Sequence, residues 1–391
     1  MTGQDDACNH FHPNGFAIVK HENHVDVAWA LHCHKKSKTV NKAYPFRPTF
    51  TMADAGASMS SALQEVYSDV PRGTCYFHVL ENVKSYFGAV SKDHDRFSIK
   101  NEFLDDVKFI HVAWTIPVKI KAIELFLLKW RTKAQNDEWL KAIVNVFTNS
   151  WILKNNKWCN SDMVESFPLN NNGLESCNKL IKSECTHHKE LEIIPLFEGM
   201  REWLSSKSKE RNPKLEDTYV KPFYTEPQPT GKEWQRSYFE CTSTAKKYKM
   251  RRLGNIAISL NQRSGIQLTK KTYTEIAEQF ITCSWQTFDH YKSYCTKVNV
   301  LTKTDGKWRC SCYFFGRNNY CSYEHSARWR YDGKEQGIAI PKEYRFNTVN
   351  TDDLKGPGRP KLPKKNAVAL PLVLQDSDDD SDDFDDSTWN N

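Results

Sequence analysis

Apolar and polar positions switch between strand and helix periods along the first part of the chain. Five segments show these patterns in turn: a strand at 14–20, a helix at 24–36, a strand at 47–55, a helix at 57–67, and a strand at 73–83 that turns into a helix. The first helix places Val25, Trp29 and His32 on one face, and the second directs Leu63 and Val66 inward. This order of elements predicts an α/β fold with mostly parallel strand pairing.

The middle of the chain has a helical pattern throughout. Residues 100–165 are rich in Trp, Phe and Leu without a strand pattern, which predicts an all-helical insertion. A turn and helix follow at 168–184, and another helix at 190–205. We predict four regions: a domain over 10–205 that includes the insertion, a polar linker over 206–235, a smaller unit over 236–335, and a disordered end over 336–391.

Composition and cysteine usage limit the class of protein. The chain of 391 residues indicates two or more globular units, and its 39% hydrophobic residues are enough for a buried core. Twelve cysteines occur without an opening signal peptide, and no apolar run is long enough to span a membrane. We therefore expect an intracellular protein with reduced thiols and no membrane partner, rather than a secreted disulfide protein.

Charge is distributed unevenly along the chain. The formal net charge is +7, yet residues 376–386 hold eight aspartates and no basic residue. Without them, 55 basic residues face 40 acidic ones, a net charge of +15. A basic body is typical of proteins that bind polyanions, most often nucleic acid. Self-repulsion predicts a disordered tail, which either competes for the basic surface or serves solubility alone.

A cluster of soft metal ligands lies in KWRCSCYFFGRNNYCSYEHSARW (307–329). Cys310 and Cys312 are two apart on a predicted strand, so both sulfurs point to one side. Cys321 and His325 are four apart, which places them on one face of a predicted helix. Three thiols and an imidazole form the ligand set of a closed tetrahedral zinc site. The other interpretation, buried thiols beside an incidental histidine, is less specific to this spacing.

The residues before the cluster predict a hairpin that supports it. Val298 and Val300 alternate with polar residues, and Asp305-Gly306 is a strong turn signal. Trp308 then begins a second strand that leads into the cysteines. The sequence predicts a β-hairpin followed by a helix, joined by the metal.

These residues resemble the SWIM zinc finger, whose pattern is Cys-x-Cys, a variable gap, and Cys-x-His. The position of the family's histidine is Tyr323 here, so we assign His325 as the fourth ligand. The resemblance implies a bound Zn²⁺ and a module that binds DNA or a protein partner. The finger by itself leaves both partners open.

Two further segments resemble the Mutator-like (MULE) transposases. In TMADAGASMSSALQEVYSDVPRGTCYFHVLENVKSYF (51–87), a strand ends in an aspartate, a helix follows, and a proline introduces the next strand and a Cys-x-x-His pair. The matching positions are Asp54, Pro71, Cys75 and His78.

The second segment is NNNGLESCNKLIK (170–182). It resembles the family's Asn-Asn-x-x-Glu-x-x-Asn helix through Asn171, Asn172, Glu175 and Asn178. A SWIM finger downstream is the usual family arrangement, and the resemblance covers about residues 10 to 330.

The resemblance implies an RNase H-like mixed sheet with a three-carboxylate site for Mg²⁺ or Mn²⁺. Asp54 and Glu175 are two of the three carboxylates, since hard oxygen ligands hold such ions in strand-transfer enzymes. The family's first aspartate has no counterpart here, so we expect an incomplete sheet that lacks its first strand, and no activity from this chain alone. Two alternatives stay open: an active transposase fragment that recovers its missing ligand from another chain, and a SWIM-mediated protein-interaction module. A homo-oligomer also stays open.

Individual motif residues also have plain structural interpretations. Asp54 precedes a helix and is a favoured N-cap residue. Glu175 taken alone is an ordinary solvated helix residue, and Cys75 and His78 are too few for a second metal site, which favours core packing.

The segment LKGPGRPKLPKK (354–365) resembles the core of an AT-hook. Its centre is Gly358, Arg359 and Pro360, flanked by lysines. A narrow, extended backbone lets an arginine enter an A·T minor groove while lysines contact phosphates. The alternative is a basic, proline-rich linker. Together with the family resemblance, this segment leads us to expect a nuclear, DNA-associated protein.

Overall fold

Helices form most of the described part of the chain, and its described strands are short. The computed structural model describes residues 2–6, 10–39, 48–88, 94–163, 172–210, 224, 226–242, 250–260, 269–318 and 320–332. Within these ranges the protein is mixed α/β with small sheets, and they belong to one unit, Met1–Val349. The described strands are β1 (Thr2–Asp5), β2 (Phe11–Gly15), β3 (Thr51–Ala53), β4 (Arg72–Thr74), β5 (Met250–Leu253), β6 (Ile256–Leu260), β7 (Val298–Thr304) and β8 (Lys307–Cys310).

The described helices carry most of the core. They are α1 (His24–Thr39), α2 (Ala57–Val66), α3 (Tyr76–Tyr86), α4 (His94–His111), α5 (Ile116–Lys133), α6 (Glu138–Phe147), α7 (Asn172–Glu184), α8 (Ile193–Lys209), α9 (Gly231–Thr242), α10 (Lys270–Thr282), α11 (Phe288–Lys297), α12 (Tyr313–Asn318) and α13 (Ser322–Tyr331). A π-helical stretch, Thr148–Lys154, continues α6, and a 3₁₀ turn follows at Asn160–Asp162. The prediction of an all-helical segment over 100–165 is confirmed for its described part, which ends at Met163.

The first strand lies earlier than the sequence predicted. The apolar run at 14–20 was expected to be buried, but β2 covers Phe11–Gly15 and pairs antiparallel with β1. Ile18, inside the predicted strand, is exposed. Pro13 is compatible with this two-stranded ribbon because an edge position does not need its missing N–H.

Parallel pairing is found between β3 and β4. Thr51 aligns with Arg72 and Ala53 with Thr74, and the amide of Cys75 donates to the carbonyl of Ala53 at 2.8 Å. The predicted strands at 47–55 and 73–83 and the helix between them are confirmed, as is the switch from β4 into α3. Asp54 and Cys75 therefore follow the carboxyl ends of two paired strands.

Helix α1 buries a different face from the one marked by its large apolar residues. Val25 and Trp29 are 69% and 60% exposed, whereas Ala28 and Leu31 are buried. These two pack with Ala62 and Leu63 of α2 in one apolar cluster. Because the alanines at this interface let the two helices approach closely, the face of α1 that carries Val25 and Trp29 is exposed to solvent.

A four-stranded antiparallel sheet separates two apolar clusters. Its order is β5-β6-β7-β8. Ile258 and Val300 point into the large helical core built on α3–α6, α10 and α11. On the opposite side, Ala257, Leu301 and Cys310 join a smaller cluster under α12 and α13. Because successive strand residues face opposite sides, one sheet links the helical core to the cysteine cluster.

The core contains a histidine that should make stability depend on pH. His111 stacks on Tyr76 with ring centroids 3.5 Å apart, and its Nδ1 lies 2.7 Å from the carbonyl oxygen of Trp158. Burial lowers the pKa of His111 to about 4. Its pKa in the unfolded chain is about 6.5. The neutral ring therefore stabilises the folded state at pH values above the unfolded pKa of about 6.5. This contribution is lost as the pH falls towards 4.

We expect the free energy of unfolding to fall by about 3 kcal/mol between pH 7 and pH 4 on account of this one group. Urea unfolding across that range measures it. His111→Asn keeps a donor for the Trp158 carbonyl but does not titrate, so its stability should fall less steeply. Equal pH dependence in both proteins would contradict the assignment.

No helix among the described residues has both the length and the apolar character needed to cross a membrane. The predicted disordered end lies outside those residues, as do residues 211–223 and 225 of the predicted linker. Described residues within 206–235 include the end of α8 and the start of α9.

Candidate metal centre

A tight hairpin brings the first cysteine into place. Asp305 and Gly306 have φ angles of 50° and 78°, the left-handed values that a two-residue turn requires. The turn pairs Thr304 with Lys307 and Leu301 with Cys310, so the predicted hairpin is confirmed. Cys310 is the last residue of β8, and Cys312 lies beyond the strand rather than on it.

Three cysteine sulfurs converge at the end of this hairpin. The sulfurs of Cys310, Cys312 and Cys321 all lie within 4.8 Å of one another. Sulfurs bound tetrahedrally at about 2.3 Å from one zinc ion would be about 3.8 Å apart. A small movement of the three sulfurs towards one another would therefore give the sulfur–sulfur spacing of a zinc site. Among the described residues this is the one group of three or more such side chains close enough to share an ion.

Each of the three sulfurs accepts a backbone N–H. The amide of Cys312 donates to Cys310 Sγ at 3.5 Å, that of Phe315 to Cys312 Sγ at 3.3 Å, and that of Glu324 to Cys321 Sγ at 3.3 Å. The last contact makes Cys321 the N-cap of α13. Hydrogen bonds to sulfur stabilise the thiolate, which is the metal-binding form.

The pKa values of the three thiols shift in different directions. Hydrogen bonds from the thiols of Cys310 and Cys321 lower the pKa of Cys312 well below its ordinary value, and the Arg236 guanidinium acts in the same direction. Burial raises the pKa of Cys310 and of Cys321. A divalent cation would supply the charge that three buried thiolates need.

His325 is buried beside this group but is not part of it. Its Nδ1 lies 2.7 Å from Ser237 Oγ, and its Nε2 has no hydrogen-bond partner, although Glu324 Oε2 is 3.5 Å away. Burial lowers the pKa of His325 to about 3, and the nearby Arg328 adds to the effect. The ring is therefore neutral, as a metal-ligating imidazole must be. Tyr323 packs against the apolar cluster.

Helix α9 covers the histidine, and it was not predicted from the sequence. It lies partly inside the predicted linker, yet it packs closely on α13. Trp234 stacks on the His325 ring with centroids 5.0 Å apart, and Glu233 Oε2 accepts from the Tyr320 hydroxyl at 2.5 Å. The signal that was overlooked is Trp234 and Ser237, three apart on one helical face.

The motif residues of the amino-terminal half directly follow β3 and β4 or lie on the helices α3 and α7. His78 Nε2 is 3.3 Å from Glu175 Oε1, which joins α3 to α7. Cys75 is fully buried and is the N-cap of α3, in keeping with core packing. Asp54 and Glu175 do not belong to any described group of three candidate ligands.

Asp54 does not cap a helix, contrary to one of its two interpretations. Gly56 is the N-cap residue of α2. The Asp54 carboxylate instead accepts the Gly56 amide at 3.0 Å, and Arg72 donates to the Asp54 carbonyl at 2.8 Å. Burial lowers the pKa of Arg72, while the Asp54 charge opposes that shift.

Two sets of predicted residues lie outside the described part of the chain. They are Asn171, and the segment Gly358, Arg359 and Pro360. Comparisons of this chain with family models, with curated proteins and with solved structures find no match.

Proposed function

We propose that this protein is an intracellular zinc-finger protein whose metal is structural. Cys310, Cys312 and Cys321 hold the ion, and His325 is its fourth ligand through Nε2. Zinc bound by four protein ligands adds folding free energy and leaves no open position for chemistry. The observation that carries the proposal is the convergence of three sulfurs, each with a backbone N–H donor.

The fourth ligand rests on separate support. Zinc-bound histidines usually form a hydrogen bond through the other ring nitrogen. Ser237 Oγ is positioned to accept from Nδ1 of His325, which leaves Nε2 as the ligand atom. A buried nitrogen with no hydrogen-bond partner is costly unless another ligand satisfies it.

We further propose that the zinc module belongs to a MULE transposase-derived protein that associates with DNA in the nucleus. The order of the motifs along the chain and the net positive charge support this proposal. So does the placement of Asp54 directly after β3 and of His78 against Glu175. On this proposal the amino-terminal half is an RNase H-like scaffold. The role that we propose for the chain is DNA binding.

Two measurements on the full chain test the proposal. Metal analysis of protein purified without added metal should find about one zinc per chain, as a four-ligand site requires. Binding to a short DNA duplex over a sodium chloride series should weaken steeply with salt, since each phosphate contact releases a counterion.

The outcomes separate the two parts of the proposal. Protein that carries no zinc and takes none up would exclude the metal site. Protein that carries zinc but does not bind DNA would favour the alternative function, a zinc finger that binds a protein partner. Divalent-metal-dependent nicking that Asp54→Ala abolishes would show a catalytic role instead.

A further inference from the structure

Helix α5 carries apolar side chains on its outer face as well as on its inner one. The inner face contributes Phe126 and Trp130 to the large helical core, where both are fully buried. On the outer face, Ile120 and Leu128 are each 62% exposed. A helix that is apolar all round is normally covered on every side, and neighbouring exposed apolar residues mark a contact surface. The outer face of α5 therefore has the character of an interface.

Two opposite charges frame the centre of this face. The helical repeat places Glu124, Leu127, Leu128 and Arg131 in one stripe along the outside of α5. An open groove follows the same stripe, and all four residues line it. Glu124 and Arg131 are two turns apart, about 10 Å along the axis, with the two leucines between them.

Both charged side chains are accessible to a partner. The Glu124 side chain is 63% exposed, and its ion pair with Lys121, at 2.9 Å, joins two residues of the same helix at the surface. Such a pair contributes little free energy and is readily exchanged for another. Arg131 is exposed and has no ion-pair partner among the described residues. The stripe thus presents an acidic and a basic group in a fixed order along the helix.

This order of charges is self-complementary. Let a second copy of α5 lie antiparallel on the first, with the two-fold axis passing between Leu127 and Leu128. Glu124 and Arg131 are equally far from that axis, so each faces the opposite charge on the second copy, and the leucines pack in the centre. A shift by seven residues in either direction places Glu124 on Glu124 or Arg131 on Arg131, which is unfavourable.

We propose that the outer face of α5 is a two-fold interface through which two copies of this chain form a reversible dimer. Glu124 of each chain pairs with Arg131 of the second copy. The inference depends on neither the zinc site nor the DNA association. An interface that uses the same patch on both copies closes on itself and gives a dimer rather than a filament. The 18 residues of α5 span about 27 Å, a smaller contact than permanent complexes use, so the dimer should dissociate on dilution.

The test reverses the two charges singly and together. Glu124→Arg sets guanidinium groups against each other at both ends of the stripe, and Arg131→Glu does the same with carboxylates. Each single variant should raise the dissociation constant of the dimer at least about tenfold, because like charges directly opposed are costly. The double variant, Glu124→Arg with Arg131→Glu, exchanges the charges and should restore the dimer. Sedimentation equilibrium over a range of protein concentrations compares the observed mass with the 45.5 kDa of one chain.

A mixture of the two single variants separates a lost interface from a lost fold. Each variant alone should be a monomer, whereas the mixture should dimerise, because each face then meets its opposite charge. A misfolded variant would not recover its partner on mixing.

Two further substitutions act as controls. Arg201→Glu makes the same charge change at an exposed position on α8 and should leave the dimer intact. Leu128→Gln removes the apolar centre and should weaken the dimer. Leu153→Gln, at a leucine that is 68% exposed outside α5, should not.

Four results would overturn the interface. They are wild-type protein that stays monomeric at every concentration, single charge variants that dimerise as the wild type does, a mixture of them that stays monomeric, and equal weakening by Leu128→Gln and Leu153→Gln. The last would mean that exposed apolar residues in general cause the association. Zinc content and DNA binding are read separately, so none of these results bears on the proposed function.

Discussion

Replacing Cys321 with serine is expected to release the zinc ion and to destabilise the carboxyl-terminal module by several kcal/mol. Structural zinc contributes roughly 10–16 kcal/mol of apparent binding free energy in small finger peptides, and most of it depends on a complete thiolate set. The substitution is informative because Cys321 has two roles, as an N-cap of α13 and as a member of the sulfur group. Serine is a preferred N-cap residue, so the cap is preserved while the ligand is lost.

Zinc content and thermal unfolding measure the effect. Cys33→Ser is the matched control, because Cys33 is exposed and lies outside the sulfur group. It should keep zinc and change stability by less than about 0.5 kcal/mol. His325→Gln should weaken zinc binding without abolishing it if His325 is the fourth ligand. If Cys321→Ser is as stable as the wild type and retains zinc, the cysteine is only a cap.

Features set by local chemistry could be predicted from the sequence. The Asp305-Gly306 turn fixes the register of β7 and β8, because only residues that tolerate positive φ allow a two-residue turn of this hand. That register places Cys310 on a definite face of the sheet. Strand β3, helix α2 and the β4-to-α3 switch follow in the same way from short-range pattern.

Features set by distant packing could not be predicted. The start of helix α9 was assigned to a linker because that segment is polar. The helix is stabilised by its contacts with His325 on α13, which are distant in sequence. The buried face of α1 depends on the close approach of α2, so it does not follow from the positions of the largest apolar residues in α1. The contact of His78 with Glu175 joins elements almost a hundred positions apart and has no local signal.

The residues of the candidate site also differ in whether local sequence or distant packing determines their positions. Spacing identified the three cysteines that the fold brings together. The fourth ligand depends on spacing and the RNase H-like architecture on a family resemblance, so both stay predictions.

Asp106→Asn is expected to lower the free energy of unfolding by about 3 kcal/mol, the largest loss we expect in the helical core. The Asp106 side chain is fully buried, and it lies 2.8 Å from Lys129 Nζ and 3.3 Å from Lys292 Nζ. It also accepts from Trp130 Nε1 at 3.1 Å. The carboxylate thereby joins α4, α5 and α11. An asparagine of the same shape leaves two ammonium groups without their buried countercharge.

Asp289→Asn provides a control on the same ammonium group. Asp289 also lies 2.8 Å from Lys129 Nζ, but its side chain is 73% exposed. An exposed ion pair contributes little, so its loss should cost less than about 1 kcal/mol. Urea unfolding of both variants compares a buried carboxylate with an exposed one at the same distance from Lys129 Nζ, and the Asp106 variant also loses the contacts with Lys292 and Trp130. Equal losses would show that the Asp106 contact is no stronger than a surface pair. If the larger loss is found, it should extend to the zinc module, because α11 continues directly into β7, which pairs with the strand that ends in Cys310.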